Sequence, residues 1–151
     1  MSCYKGFIQE YGIDYEETSA SVARISYVRA LLVVVAASKW DLFQMDVKNA
    51  FLNGNLSEKF YMQPPLGLSV ESNKVCHIRH AFYGLKQAPR AWFAKFSSII
   101  SRLGYMTSHY DSALFLHRTN KDTILLLLYV DDIIITGDDL NGIQELKDFL
   151  S

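Results

Sequence analysis

Two adjacent aspartates, Asp131 and Asp132, interrupt an apolar stretch that reads Ile-Leu-Leu-Leu-Leu-Tyr-Val-Asp-Asp-Ile-Ile-Ile-Thr-Gly from Ile124 to Gly137. Burying an unpaired ionised carboxylate costs several kcal/mol, a large part of a domain's net stability. The pair therefore sits either at a hairpin turn in water or where bound cations compensate it, and the rest of the sequence favours the cations. A third carboxylate, Asp46, ends another apolar segment, Leu42-Phe43-Gln44-Met45. If the two segments are neighbouring strands, Asp46 and Asp131 can face each other and hold two Mg²⁺ ions about 3.5–4 Å apart. That arrangement serves in-line phosphoryl displacement. Asp132 points the other way along its strand in this reading and is the less direct ligand. Taken alone, the Asp-Asp pair signals little, because a polar turn is a common use of Asp.

The elements that must position these groups are legible from periodicity and punctuation. Asp14 to Glu17 has the spacing of an acidic capping box, and Val22 to Ser38 reads as a mostly buried helix. Asp41 to Val47 reads as a strand, Asn49 to Leu52 as a short turn or helix, and Asn53-Gly54-Asn55 as a turn. Phe60 to Met62 and Val75 to Ile78 are short strands separated by the Pro64-Pro65-Leu66-Gly67 loop. Pro89 suits the first turn of a helix that runs to Leu103, with Gly104 beyond its end. Trp92, Phe96, Ile99 and Leu103 share one face of that helix, which favours core packing over base stacking. Lys95 and Arg102 share another face and could point at one ligand. Ala113 to His117 and Thr123 to Tyr129 read as strands, with Ile133 to Thr136 as the return and Asp139 capping a last helix through Leu150. The mixed order with at least one hairpin is that of an α+β domain.

Charge is unevenly distributed along the 151 residues, although the net value is only −1. Lys74, Arg79, Lys86, Arg90, Lys95 and Arg102 fall in a segment without any acidic residue, leaving nine basic against sixteen acidic residues elsewhere. This is the footprint of one face that meets phosphates and a separate acidic site. Cys3 and Cys76 lack C-x-x-C spacing and fit a reducing compartment. Met1-Ser2-Cys3-Tyr4 does not read as a signal peptide, and the apolar run at Leu125 to Ile135 is too short for a membrane span. His77 and His80 stand three apart without a convincing third metal ligand, so they read as polar or phosphate-facing.

Three segments in order carry a resemblance: Gln44-Met45-Asp46-Val47-Lys48-Asn49-Ala50-Phe51-Leu52, then Ala81-Phe82-Tyr83-Gly84-Leu85-Lys86-Gln87-Ala88-Pro89-Arg90-Ala91-Trp92, then Tyr129-Val130-Asp131-Asp132. Together with Tyr11-Gly12-Ile13-Asp14-Tyr15-Glu16-Glu17-Thr18 and Val22-Ala23-Arg24, they closely resemble the reverse transcriptase of copia-type LTR retrotransposons, from about Tyr4 to the last residue. The resemblance implies an RNA-directed DNA polymerase with a palm built on a ferredoxin-like antiparallel sheet with helices, plus partial fingers. It implies Asp46, Asp131 and Asp132 as catalytic residues and ligands of two Mg²⁺ ions, with Mn²⁺ as the alternative. Val47, Phe51, Tyr83, Gly84 and Lys86 match positions around the incoming nucleotide, where Phe51 leaves no room for a 2′-hydroxyl. Tyr83 stands where many retroviral relatives carry Gln. Lys86, Arg90, Lys95, Arg102 and Tyr129 would meet nucleic acid. The implied partners are an RNA or DNA template with its primer, deoxynucleoside triphosphates, and the other portions of a polyprotein, without a membrane. The implied location is a cytoplasmic retrotransposon particle or the nucleus.

The match also has departures. The Lys-x-Arg-Leu-Val run usual upstream of Lys5-Gly6-Phe7 is replaced by Met1-Ser2-Cys3-Tyr4, so the triphosphate-binding Arg is missing, and Lys5 offers only a point charge in its place. The sequence stops at Ser151, before the next palm strand, the thumb and the RNase H domain, and Ser19 and Ser21 replace a usual Phe and Pro. The expectation is a reverse transcriptase domain truncated at both ends, with its carboxylates present and weak or no activity in isolation. Two other classes compete with it: a non-catalytic nucleic-acid-binding remnant, and a metal-dependent nuclease that uses the same carboxylates.

Overall fold

The computed structural model describes residues 9–13, 18–62, 64, 67, 71 and 73–151. The expected capping box at Asp14 to Glu17, together with Cys3 and Lys5, lies outside the described residues. Among the described residues, three α-helices and two antiparallel sheets make an α+β fold, as expected. The chain forms two compact units: Met1–Ala20 with Asn49–Phe96, and Ser21–Lys48 with Ser97–Ser151.

The second unit is built on a five-stranded sheet in the order β1-β7-β6-β5-β4. Its strands are β1 (Asp41–Asp46), β4 (Met106–Thr107), β5 (Leu114–Arg118), β6 (Thr123–Tyr129) and β7 (Asp132–Gly137). The run Ile124 to Gly137 folds back on itself, so β6 and β7 pair along their whole length and take the centre. β1 adds to β7 from the outside, from Asp41↔Gly137 to Asp46↔Asp132. Strand alternation puts Phe43, Met45, Leu126, Leu128, Ile133 and Ile135 on one face. Helix α3 (Leu140–Leu150) covers that face with Ile143 and Leu146, both buried, and sets the Lys147 ammonium 4.4 Å from the Phe43 ring centre. Its N-cap is Asp139, whose carboxylate accepts from the Gly142 N–H at 2.9 Å, as its sequence pattern predicts. The two-residue strand β4 carries too little pattern to be read from sequence.

Helix α1 (Ile25–Ser38) corrects two expectations. It begins at Ile25 and not Val22, because Arg24 is held extended while its N–H donates to Asp111 Oδ2 at 3.1 Å, a partner 87 residues away. It is not mostly buried either: of its apolar residues only Leu31 and Val35, one turn apart, are buried, whereas Ile25, Leu32, Val33 and Val34 are exposed. A helix apolar on all sides offers more surface than a single packing face can take up.

Helix α2 (Ala88–Arg102) ends as its sequence suggests. The Gly104 N–H reaches the Ser101 carbonyl and the Tyr105 N–H reaches that of Ile100, a Schellman closure. Its large buried side chains are Trp92, Phe96 and Ile100, while Leu103, expected on the same stripe, is 38% exposed. Trp92 and Phe96 are core residues, with ring centres 5.4 Å apart. In the first unit, β2 (Asn55–Met62) and β3 (Cys76–His80) form a ribbon, β2 being longer than the expected Phe60 to Met62. Leu56, Met62 and Ile78 pack against buried Ala81, Leu85 and Ala88.

Tyr105 follows α2 and is buried beside the start of α3. Burial, then the Asp139 carboxylate, pushes its phenol from 10.0 up to about 12. A group raised in this way stabilises the fold fully below the unfolded value and loses that contribution as pH climbs to the folded one. Urea unfolding followed from about pH 10 to about pH 12 should therefore show falling stability, and Tyr105→Phe should flatten that limb.

Candidate active site

The hairpin between β6 and β7 sets the acidic site. Tyr129 pairs with Asp132, so Val130 and Asp131 are the two loop residues. Val130 has φ +60°, and Asp131 is not among the residues of positive φ. Positive φ at the first loop position alone is the type II′ pattern, which ordinarily demands Gly. A β-branched residue there is strained by about 1–3 kcal/mol. The local reading of the Asp-Asp pair as part of a hairpin turn thus describes the backbone correctly.

The register corrects the expected pairing of carboxylates. Asp46 lies opposite Asp132, not Asp131. The Val47 N–H donates to the Asp131 carbonyl at 3.1 Å, which makes Asp46–Asp132 a non-hydrogen-bonded pair, the kind whose side chains stand closest. Tyr129 is the neighbour of Asp132 on its other side, so Tyr129, Asp132 and Asp46 form one cross-strand row on the face away from α3. Gln44, two residues before Asp46 and on the same face, donates its amide to Asp132 Oδ1 at 3.2 Å. Asp46 and Tyr129 are exposed, and Asp131 and Asp132 are half-buried. Among the described residues no three His, Cys, Asp or Glu side chains converge closely enough to hold a metal ion. Two carboxylates face one another and the third stands at the adjoining turn.

The expected nucleotide-contacting residues of the first unit also gather. Phe51, on a 3₁₀ helix (Ala50–Asn53), and Tyr83 have ring centres 4.9 Å apart. The Leu85 N–H donates to the Phe82 carbonyl, closing a turn in which Gly84 has φ +103°. This is the type II turn, whose third position needs a residue without Cβ. Sequence reasoning missed what holds this turn. Gln9 is 3% exposed; its amide oxygen accepts from the Lys86 N–H at 2.8 Å and its amide nitrogen donates to Gln87 Oε1 at 2.9 Å. The Lys86 ammonium also donates to the Gln9 carbonyl at 3.3 Å. An isolated Gln gives no pattern from which a partner 78 positions away could be read. On α2, Arg90 and Lys95 are half-buried and Arg102 is exposed. Val47, counted with the nucleotide residues, stands half-buried in the other unit.

The sequence matches the family described as reverse transcriptase (RNA-dependent DNA polymerase) over residues 2–151, and the chain belongs to that family. It is 40% identical over 149 residues to the retrovirus-related Pol polyprotein from transposon RE1 of Arabidopsis thaliana, covering 97% of this chain and 10% of that protein. With the Pol polyprotein from transposon TNT 1-94 of Nicotiana tabacum it is 41% identical over 150 residues, 97% of this chain and 11% of the relative. The copia-type affinity implied by the motifs is the one these relatives carry. The chain therefore spans about a tenth of the length of the curated relatives it matches. No solved structure matches it. Reverse transcriptase domains generally use divalent metals.

The strained hairpin yields a direct expectation. Val130→Gly should raise the unfolding free energy by about 1 kcal/mol in urea titrations, because Gly adopts the turn without strain. A destabilised Val130→Gly protein would show that Val130 packing outweighs the backbone cost.

Proposed function

We propose that this chain carries the nucleotidyl-transfer centre of an RNA-directed DNA polymerase, which extends a primer 3′-hydroxyl with deoxynucleoside triphosphates on an RNA or DNA template. The observation that carries this reading is the opposition of Asp46 and Asp132 next to the Asp131 turn. Like charges directly opposite across two strands destabilise a sheet unless something positive lies between them. Carboxylate oxygens suit Mg²⁺, which takes one or two of them and leaves its remaining positions to water and phosphate oxygens, and Mn²⁺ shares that preference.

Asp46 and Asp132 would hold the cation side by side, with Asp131 adding a carboxylate from the turn. Two bound ions supply acidification of the attacking hydroxyl and neutralisation of the triphosphate. Gln44 keeps one oxygen of Asp132 engaged and so fixes its rotamer. Tyr129, in the same row, presents an exposed ring to the primer end. This sheet is the palm in our reading.

The first unit, read as part of the fingers, binds the nucleotide with its own groups. The Phe51 ring excludes a 2′-hydroxyl and Tyr83 buttresses it. Gly84 lets backbone approach the nucleotide closely, and Lys86 offers charge to its phosphates. Arg90, Lys95 and Arg102 meet template and primer phosphates, giving salt-sensitive, sequence-tolerant binding. Thumb and RNase H portions of a parent polyprotein would complete the enzyme in a cytoplasmic particle or the nucleus, and the isolated chain is expected to incorporate nucleotides slowly.

Three measurements test this. Without metal, Asp46→Asn should be more stable than wild type by about 0.5 kcal/mol, since a like-charge pair is removed. Mg²⁺ should raise the thermal midpoint of the wild type and leave that of Asp46→Asn unmoved. Template-dependent primer extension should fall roughly a hundredfold or more in Asp131→Asn, reflecting several kcal/mol of lost metal-assisted stabilisation. Extension that survives Asp46→Asn, or melting indifferent to Mg²⁺, would end the proposal.

A further inference from the structure

The β2–β3 ribbon of the first unit has a second face that the catalytic reading leaves unused. Its inner face is fixed by Leu56, Met62 and Ile78 on the Ala81–Leu85–Ala88 cluster. Strand alternation then obliges His77 and Arg79 to point outward, and both are exposed while Cys76 and Ile78 are not. Tyr61 is the register partner of His77 and is 52% exposed. The two rings are in contact and exposed, with centres 5.0 Å apart and planes tilted by 31°. An exposed aromatic pair offers π-surface on which a base can stack.

Two cations belong to the same stretch of the ribbon. Arg79 follows His77 by two residues on β3 and shares its face, and Lys59 precedes Tyr61 by two on β2, at the edge of the irregularity where the register shifts between Asn55 and Phe60. Both are exposed, and among the described residues neither makes an ion pair. An exposed aromatic pair beside paired cations matches what an unpaired nucleotide offers: a base with an open π-face and a phosphate next to it. A duplex offers the phosphates without the open base face. A protein partner would call for an apolar centre, which the ribbon spends on its own core.

We propose that the solvent face of the β2–β3 ribbon is a platform for single-stranded nucleic acid, with the Tyr61–His77 stack receiving a base and Lys59 and Arg79 holding the adjoining phosphate. The proposal deepens the polymerase reading by naming a strand class, but its geometry lies wholly within β2 and β3.

The test is fluorescence anisotropy of the whole chain with a labelled oligo(dT) of about twelve nucleotides, within known site sizes, and with a duplex of equal length, both without Mg²⁺ or nucleotide. Tyr61→Ala should weaken single-strand binding by about tenfold, Tyr61→Phe should retain it, and duplex binding should move less than twofold in both. Lys59→Gln combined with Arg79→Gln should reduce the slope of log affinity against log salt by about 0.7–1.4. These measurements omit Mg²⁺ and nucleotide and read binding alone, whereas the catalytic reading stands on Mg²⁺-dependent melting and primer extension, so failure of the ribbon and failure of the catalytic reading are separable. Circular dichroism and thermal melting check that each variant is folded, and Tyr61→Leu replaces Tyr61→Ala if the latter is not. Single-strand affinity within twofold of wild type in the folded Tyr61 variant, an unchanged salt slope, or equal losses on duplex would overturn the platform.

Discussion

The register between β1 and β7 is the constraint on which the acidic site depends. Six consecutive residue pairs, from Asp41↔Gly137 to Asp46↔Asp132, bring two carboxylates to a single cross-strand position. A slip of one residue would turn Asp46 to the α3 side and bury it against Ile133 and Ile135, while exposing Phe43 and Met45. The hydrophobic pattern therefore enforces the electrostatic one. Thr136, fully buried, adds a pin by donating its hydroxyl to the Asp41 carbonyl at 2.7 Å. The repulsion of the acidic pair is small beside the apolar area that the register buries, so the register holds in spite of it.

Both candidate regions are held in backbone conformations that neighbouring structure must maintain. At the β6–β7 hairpin, Val130 keeps a positive φ because the paired strands on either side leave two residues to reverse the chain. At the 82–85 turn, Gly84 adopts its positive φ freely, and the buried Gln9 and Gln87 amides satisfy one another and the Lys86 N–H. Buried amides left without partners would cost about 1–3 kcal/mol each, so the three-way bond fixes the turn rather than merely decorating it. Strain sits beside the carboxylates and satisfied polarity beside the turn that carries Tyr83, Gly84 and Lys86.

The elements that sequence reading placed well are those with strong local signals. β6 and its return were visible because two apolar runs flank a polar interruption, α3 because Asp139 precedes a helical stripe, and α2 because Pro89 and Gly104 bracket it. The failures share a cause. Arg24 starts α1 because of Asp111, and the exposure of Val33 and Val34 depends on which single face of an all-apolar helix finds a partner. The stripe on α2 follows Ile100 rather than Leu103 because packing selects among several apolar residues that periodicity cannot rank.

The sequence alone determined the reverse transcriptase family, the α+β class, the three aspartates and the order of elements that carry them. These depend on residue identity and on neighbours within a few positions, which a linear chain displays openly. Tertiary structure alone decided that Asp132 opposes Asp46, that Gln44 and Gln9 support the two candidate regions, and that Tyr61 and His77 share one solvent face. Each of those facts depends on strand register or on bonds between residues far apart in the chain. Such choices are made by the burial of whole faces, a property that no short stretch of sequence possesses.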